Sequence, residues 1–346
     1  MRRDWPRPRL FVPLAGESTW VASIVVSEEQ ALFSLVSGEG DGAILGLAAG
    51  DSAGGAWELG YSAHTEQAVV VAYDLIEHGR LEASRARDAI RELDGVDEES
   101  PVYRAESSQF REWLNHAKSG AARPSNTPCL DHGPRSIPIG VFDRKKPQRL
   151  IGEVVSLGAI FHDDAESVLC GGVFAAAAAA SCFGQSGKDF LAGVAEATES
   201  LLGAMDRAEL GGLSRLEGAA GEVRKMIDLV GITDGAGALE ATKADPSPGP
   251  WDLTKAALLI SAPLAERDHI PIEQAARLGG SALGASVGGV MGARAGIKAW
   301  PWAFANDTWF AEIGRRLVRG PAEVADLPIP YAVEHHLMSG ERQGFH

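Results

Sequence analysis

Cysteine is scarce in this chain. Only Cys129, Cys170 and Cys182 occur among 346 residues, and no two of them form a C-x-x-C motif. An odd number of cysteines without metal-ligand spacing excludes a disulfide framework and a zinc ribbon. We therefore expect a protein of the reducing cytoplasm.

Basic residues are also in short supply. Lysine and arginine total 32 against 47 aspartates and glutamates, which gives a formal net charge of −15 at pH 7. A surface of this sign repels phosphate backbones and anionic lipid headgroups. We expect no nucleic-acid partner and no membrane association, and nothing in the sequence indicates the oligomeric state.

Long apolar runs are missing as well. The most apolar window, 169–184, consists mostly of alanine and is too short to span a hydrocarbon layer of ~30 Å, so it predicts a buried helix. Pro6, Pro8 and Pro13 interrupt the N-terminal apolar stretch, and no small-residue cleavage site follows. We therefore expect no signal peptide.

Strand patterns are confined to the first 37 residues. Leu10–Leu14 and Thr19–Ser27 are β-rich and predict a short N-terminal appendage over 1–37. Residues 38–328 carry helical patterns without a fixed repeat and predict one all-α domain, followed by an irregular tail over 329–346.

Helices are predicted throughout that domain. Small residues recur at three- and four-residue spacings over 42–50, which predicts a buried helix that other backbones approach closely. Asp163 and Glu166 form a D-x-x-E pattern that predicts a capping box before a helix at 165. Helical patterns cover 65–79, 150–160, 165–181, 188–207, 219–230, 253–265 and 272–298, whereas 123–138 and 244–250 are predicted loops.

The segment Gly50–Gly54 fits G-x-S-x-G, the nucleophile elbow of serine esterases. The elbow needs a strand before Ser52 and an oxyanion loop upstream, and the sequence predicts neither. A second match at 284–288 lies inside a glycine-rich helix. Both serines are therefore also explained as small residues for helix packing, and the esterase interpretation is kept as an alternative.

Residues 42–58 read GAILGLAAGDSAGGAWE and match the pattern G-a-l-l-G-l-a-x-G-D-a-l-G-a-x-x-E. Segments 131–140 (DHGPRSIPIG), 161–163 (FHD) and 279–284 (GGSALG) match three later signatures in part. In these segments the chain resembles the ADP-ribosylglycohydrolases, all-helical enzymes that remove ADP-ribose from arginine, serine and related acceptors. The resemblance covers most of 40–320 and implies an orthogonal helical bundle that binds a small ligand of ADP-ribose type.

The chain departs from this family at the metal site. Family members hold two magnesium ions with a Thr-Asp-Asp-Thr segment and with the aspartates and threonine of the last signature. Here the first segment is SAHT (62–65) and the second is SALG (281–284). Magnesium needs oxygen ligands that usually include carboxylates. We therefore expect no paired magnesium site and no other cofactor.

Glu58, His64 and Asp51 are the candidate catalytic residues. The resemblance places them around the vacated metal site, and Glu58 falls where some members keep a mechanistic glutamate. A carboxylate beside an imidazole is a workable acid and base pair. Two alternatives stay open. His64 fills the ion space and hydrogen-bonds Ser62 or Ser281, or it binds a transition metal with the two carboxylates.

Candidate ligand contacts come from the same signatures. They are Ser62, Thr65, His132, Gly133, Arg135, His162 and Ser281. The Arg135 guanidinium offers a bidentate fork to a phosphate or carboxylate, although a structural salt bridge explains it equally well. The aromatic residues over 300–310 favour core packing or a subunit contact over ligand stacking.

Together these patterns predict a diverged enzyme that acts by metal-independent acid and base chemistry on a ribosyl, nucleotide-like or other small metabolite. A non-catalytic ligand-binding protein of the same fold is the alternative, and a serine esterase is the second.

Overall fold

The structure is a computed structural model that describes residues 40–56, 60–94, 103, 106–120, 123–232, 234–244, 246–263, 269–297 and 306–321. The predicted β-rich appendage, the predicted irregular tail and Glu58 lie outside these ranges. Within them, helices and their connections account for the chain, and no strand is found beyond two isolated bridges, Ser125 with His162 and Asp164 with Gly211. None of the described helices is both long and apolar enough to cross a membrane.

The helices are α1 (Ala43–Asp51), α2 (Ala63–His78), α3 (Ala83–Leu93), α4 (Ser108–Lys118), α5 (His132–Phe142), α6 (Pro147–Phe161), α7 (Ala165–Ser181), α8 (Gly187–Arg207), α9 (Ala219–Met226), α10 (Gly235–Thr242), α11 (Pro250–Ser261), α12 (His269–Ala295) and α13 (Asp307–Arg319). A π-helical turn, Ser52–Ala56, follows α1 directly. The all-α prediction for this region is confirmed.

Helix α1 is buried along its whole length and packs against α12. Glycines make the contact. A Cβ built on Gly50 would overlap the carbonyl oxygen of Gly284, and one on Gly288 would overlap that of Gly46. The two backbones touch because the glycines on each helix recur every four residues and share a face. The small-residue pattern over 42–50 thus predicted the central contact of the fold.

Helix α12 is bent rather than straight. Gly279 (φ −137°, ψ 20°) and Gly280 (φ 65°, ψ −157°) leave helical geometry in its interior. The conformation of Gly280 is costly for any residue with a Cβ. The predicted helix over 272–298 is therefore two helical segments joined at a kink, and Ser281 is the first residue after it.

Two local predictions need correction. The predicted loop 123–138 ends at 131, because α5 begins at His132. Pro134 lies in the first turn, where its missing N–H is not needed, and burial of residues 132–141 offsets the cost of Pro138. Asp164, rather than Asp163, caps α7 by accepting a 2.7 Å bond from the Ser167 N–H.

Apolar side chains of nearly every helix join one contiguous core. Trp309 and Phe310 belong to it, and Phe310 meets Tyr61 edge to face with ring centroids 5.1 Å apart. For these two aromatic residues the core-packing interpretation holds. Trp300, Trp302 and Phe304 lie outside the described residues.

Candidate functional site

The carboxylate of Asp51 organises the first half of the site. Asp51 ends α1 and is fully buried. Its Oδ2 accepts hydrogen bonds from the N–H of Ser62 (2.9 Å), the N–H of Thr65 (3.1 Å) and the hydroxyl of Thr65 (2.7 Å). Its Oδ1 accepts from the Ser62 hydroxyl (2.6 Å). Four donors at the start of α2 therefore converge on one carboxylate.

Ser62 is the N-cap of α2 and links this network to His64. Its hydroxyl donates to Asp51 and accepts from the His64 N–H at 3.3 Å. His64 follows Ala63 in the first turn, and its residue is 7% exposed. Among the described residues, no hydrogen bond to its imidazole is found. The ring is therefore the one ionisable group that residues 62–65 present without an internal partner in this part of the structure.

The residues at the kink of α12 form the side of the site opposite the start of α2. The Ser281 hydroxyl donates to the backbone carbonyl of Asp51 at 3.2 Å, and a Cβ on Gly54 would overlap the Ser281 backbone. The Ser52 hydroxyl donates to the carbonyl of Gly60. Ser52 follows a helix instead of the strand that a nucleophile elbow requires. The hydroxyls of Ser52 and Ser281 thus both donate hydrogen bonds to backbone carbonyls.

Arg135 of α5 centres a second polar group. Its residue is 1% exposed, and its guanidinium carbon lies 4.2 Å from the centroid of the Phe161 ring. Its Nη1 lies 3.4 Å from Nε2 of His162. Because arginine only donates, this contact makes Nε2 the acceptor, so the neutral ring carries its proton on Nδ1, 3.9 Å from the Cys129 sulfur.

Burial keeps the titratable groups around Arg135 neutral. It lowers the pKa of His132 to about 3, and the neighbouring Arg135 charge adds to the effect. The same two causes hold the pKa of His162 well below its usual range. Burial also raises the pKa of Cys129 to about 12. These side chains are poor proton donors and nucleophiles at neutral pH, which favours a supporting role.

His132 is enclosed by small residues. Its Nε2 lies 3.1 Å from the Val154 carbonyl oxygen, so this nitrogen carries the proton and donates. Atoms of Gly158 and Gly171 pack against the ring, where a Cβ on either residue would clash. Gly133, the next predicted ligand contact, packs on the Ser286 side chain of α12. Both predicted contacts thus face the protein interior.

The kink also lies between the two groups. Gly54 packs on the backbone of Ser281, just after the kink. Gly279 lies in the kink, and a Cβ on it would be 3.1 Å from a side-chain methyl carbon of Leu130. Helix α2, which carries His64, packs against α5, which carries Arg135. The predicted residues of the first and last signatures are therefore brought together, and those of the two middle signatures form a separate, neighbouring cluster.

Sequence reasoning missed Cys129 and Tyr103 as members of the second cluster. The Cys129 N–H donates to the Ser167 hydroxyl at 2.8 Å, which fixes the loop before α5 on the start of α7. Tyr103 is buried, and its electrostatic neighbours are Glu66, Asp94 and Arg135. The position of Cys129 just ahead of segment 131–140 was the only sequence signal for either residue.

A family model described as ADP-ribosylglycohydrolase matches residues 40–326. The chain belongs to the ADP-ribosylglycohydrolase family. A solved structure described as an "ADP-ribosylglycohydrolase-related protein complex" is similar to it with a TM-score of 0.57 and 18% sequence identity, over 82% of this chain and 97% of that chain. At this identity the likeness shows the ADP-ribosylglycohydrolase fold alone. No curated protein matches the sequence.

Segments 62–65 and 281–284 lie where the signatures of the ADP-ribosylglycohydrolase family supply magnesium ligands. The side chains at these positions therefore show whether such ions could bind. Ala63 and Leu283 have no donor atom, and the hydroxyls of Ser62, Thr65 and Ser281 are bonded to Asp51. Over the described ranges, no three His, Cys, Asp or Glu side chains are grouped so that they could hold a metal ion. The side chains at 62–65 and 281–284 therefore do not fit a pair of magnesium ions such as the family's signatures bind.

Proposed function

We propose that this member of the ADP-ribosylglycohydrolase family works without the paired magnesium ions and uses Glu58 and His64 as an acid and base pair. Its substrate class is a ribosyl, nucleotide-like or other small metabolite. The observation that carries the proposal is that segments 62–65 and 281–284 have no carboxylate, and that their three hydroxyls, on Ser62, Thr65 and Ser281, all donate to Asp51.

The chemistry needs two proton transfers. Cleavage of a glycosidic bond requires a base that takes a proton from the attacking water and an acid that gives one to the leaving group. His64 supports this proposal because its imidazole is free of protein partners among the described residues and lies in the first turn of α2. Glu58 supplies the carboxylate on the segment that joins the π-helical turn to α2.

Asp51 has a positioning role in this proposal. Both of its oxygens accept bonds from the residues on either side of Ala63 and His64. All four of these donors belong to the protein, so both carboxylate oxygens are occupied in holding the start of α2. We infer that Asp51 fixes the backbone around His64 and leaves proton transfer to Glu58 and His64.

The second cluster supports the ligand loop in this proposal. Arg135, His132 and His162 are buried, so we infer that they hold loop 123–131 in place from behind. The backbone of that loop, several residues of which are exposed, would then face the ligand.

The test compares turnover with and without free divalent cations. ADP-ribosyl-arginine, ADP-ribosyl-serine and simple nucleosides are offered to the full chain in EDTA and in magnesium. We expect the same turnover in both, and we expect His64→Asn and Glu58→Gln to lose it, whereas His116→Asn on α4 keeps it. Turnover that EDTA abolishes and magnesium restores would overturn the proposal.

A binding protein of the same fold is the second candidate. It is favoured by the internal bonding of Ser62, Thr65 and Ser281, which leaves few groups free to react. Binding of ADP-ribose in a thermal-shift assay without turnover of any of these compounds would support it. Labelling of Ser52 by a fluorophosphonate would instead support the serine esterase.

A further inference from the structure

Three charged side chains meet where α2, α5 and α6 come together. Asp143 caps the C-terminus of α5, and Arg149 and Glu153 lie on the first turns of α6. Asp143 Oδ1 accepts from Arg149 Nε at 2.6 Å and from its Nη2. The Arg149 Nη1 also donates to the carbonyl of Gly79, directly after α2, at 3.2 Å.

Glu153 completes this cluster, which we call the three-helix junction (Gly79, Leu81, Asp143, Arg149 and Glu153). Its Oε1 accepts from the Leu81 N–H at 3.2 Å and lies 3.8 Å from Arg149 Nε. Its carboxyl and that of Asp143 are electrostatic neighbours that share the guanidinium of Arg149. The Asp143 side chain is 0% exposed and that of Glu153 is 11% exposed, so water contributes little to either.

One oxygen on each acid has no donor. Asp143 Oδ2 and Glu153 Oε2 are both buried and unpaired when both groups are ionised. Two carboxylate oxygens cannot hydrogen-bond each other, since each only accepts. A proton bound by the pair supplies the donor that two ionised carboxylates lack. We infer that Asp143 and Glu153 share one proton, and that its loss in alkaline solution loosens the three-helix junction.

The charge balance supports the same conclusion. With one shared proton, the two acids carry one negative charge, which the single positive charge of Arg149 balances. Without the proton, a net negative charge is left in a site from which water is nearly excluded, and such a charge is costly. Burial, the Asp143 charge and the bond to Asp143 together raise the pKa of Glu153 to about 8.

The other charged groups near the junction are bonded elsewhere or exposed, and Arg80, Lys145 and Lys146 are among the exposed ones. Arg144 directs its guanidinium to the carbonyl oxygens of Val141 and Val318. On α2 and α3, Asp74 pairs with Arg85, and His78 lies 3.5 Å from Asp74. No second cation among the described residues therefore replaces the shared proton.

The three-helix junction lies on the same helices as the candidate functional site, so loss of the shared proton affects both. Each of the three helices carries site residues at its opposite end. His64 begins α2, His132 and Arg135 begin α5, and His162 follows the end of α6. Loosening the junction frees the far ends of the helices whose near ends build the site.

The test measures melting temperature against pH for the full chain and its variants. An acid whose pKa is raised in the folded state binds a proton that the unfolded chain has lost. Stability therefore falls as pH rises from about 4.5 to about 8 and levels off above that range. Because a glutamine amide mimics the protonated acid, Glu153→Gln should melt several degrees higher than wild type at alkaline pH and match it near pH 5.

Matched variants separate the shared proton from an ordinary ion pair. Asp143→Asn should gain alkaline stability in the same way, because one carboxylate still faces Arg149. The double variant Asp143→Asn/Glu153→Gln leaves Arg149 without an anionic partner in the junction and should melt lower than wild type at every pH. The exposed Glu112→Gln should change nothing. If both single variants melt lower than wild type at all pH values, the inference is overturned.

A local measurement links the pH effect to the junction. At alkaline pH, amide hydrogen exchange at residues 79–81 and 148–153 should be faster in wild type than in Glu153→Gln, compared at the same pH. Equal exchange in the two proteins would also overturn the inference. The experiment does not involve turnover, so its outcome is independent of the proposed function.

Discussion

The hydroxyl of Thr65 donates a 2.7 Å hydrogen bond to the carboxylate of Asp51. The two residues lie at the start of α2 and the end of α1, and the segment between them in the sequence includes the π-helical turn and Glu58. The bond therefore closes the segment that presents both proposed catalytic residues. Together with the bonds from Ser62, it ties two helix ends together through side chains of this chain alone.

This network predicts a large loss of stability in Asp51→Ala. The change removes four hydrogen bonds and leaves three buried donors without an acceptor, the Ser62 N–H and the hydroxyls of Ser62 and Thr65, whereas the Thr65 N–H keeps its bond to the Ser62 carbonyl. An unpaired buried donor costs about 1–3 kcal/mol, so we expect a loss of about 3 kcal/mol or more. Thr65→Val, which removes one bond, should cost about 1 kcal/mol. Urea unfolding measures both.

The exposed Asp163→Asn is the control for Asp51→Ala and should stay within about 0.5 kcal/mol of wild type. If Asp51→Ala is as stable as this control, the carboxylate does not hold the start of α2, and its assignment as a positioning residue falls.

The close contact between α1 and α12 predicts that Gly50→Ala destabilises the protein. A methyl group on Gly50 would overlap the carbonyl oxygen of Gly284, and neither backbone can move without shifting a helix. Overpacking of this kind costs about 1–3 kcal/mol, so we expect Gly50→Ala to unfold at lower urea concentration. Gly152→Ala is the matched control, because a Cβ at that position in α6 meets no atom within 4 Å. It should gain up to about 1 kcal/mol from helix propensity.

Much of this packing was predictable from sequence, because glycine spacing on α1 is a local pattern that directly determines which helix face is bare. The start of α5 was not predictable. Pro134 and Pro138 are typical of a loop, and only burial against α7 shows why a helix forms there. The kink at Gly280 was hidden for a similar reason, since two adjacent glycines in a small-residue helix do not reveal which of them leaves helical geometry.

The sequence singles out candidate site residues, but it does not show which side chains they contact. Motif positions identified Asp51, His64 and Arg135, but the partners of Asp51 and Arg135 come from other segments. Asp51 takes its bonds from the next helix, and Arg135 lies on Phe161 and beside His162. Hydrogen-bond saturation and burial depend on these non-local contacts, so a catalytic interpretation of Asp51 could not be distinguished from a positioning one beforehand.

His132 predicts that acid weakens the fold. Burial, followed by the Arg135 charge, lowers its pKa to about 3, so the folded state keeps the ring neutral. The unfolded chain protonates it below about pH 6.5. Stability is therefore full above pH 6.5 and is lost as pH falls toward 3, by up to about 1.4 kcal/mol per pH unit for this group.

The measurement for His132 is urea unfolding at several pH values between 7 and 4. In His132→Gln the acid-dependent loss should be smaller than in wild type, even if the variant is less stable at neutral pH. His116→Gln on the surface helix α4 should keep the wild-type slope. Equal slopes for His132→Gln and wild type would show that His132 is not the acid-sensitive group.

Magnesium provides the most direct test of what has become of the family's metal site. The oxygen donors that remain in the side chains of 62–65 and 281–284 are hydroxyls already bonded to Asp51, and the His64 imidazole is a nitrogen donor that magnesium disfavours, so we expect about 1 mM magnesium to leave the melting temperature of the EDTA-treated protein unchanged. A site with a Kd of about 10 μM would instead add about 2.7 kcal/mol at that concentration.

Sodium chloride at equal ionic strength controls for screening, and a family member that keeps the Thr-Asp-Asp-Thr segment serves as the positive control. A rise in melting temperature comparable to that of the positive control would mean that Glu58 and residues outside the described ranges rebuild a metal site. The acid and base pair would then have to be replaced by a metal-bound water in the mechanism.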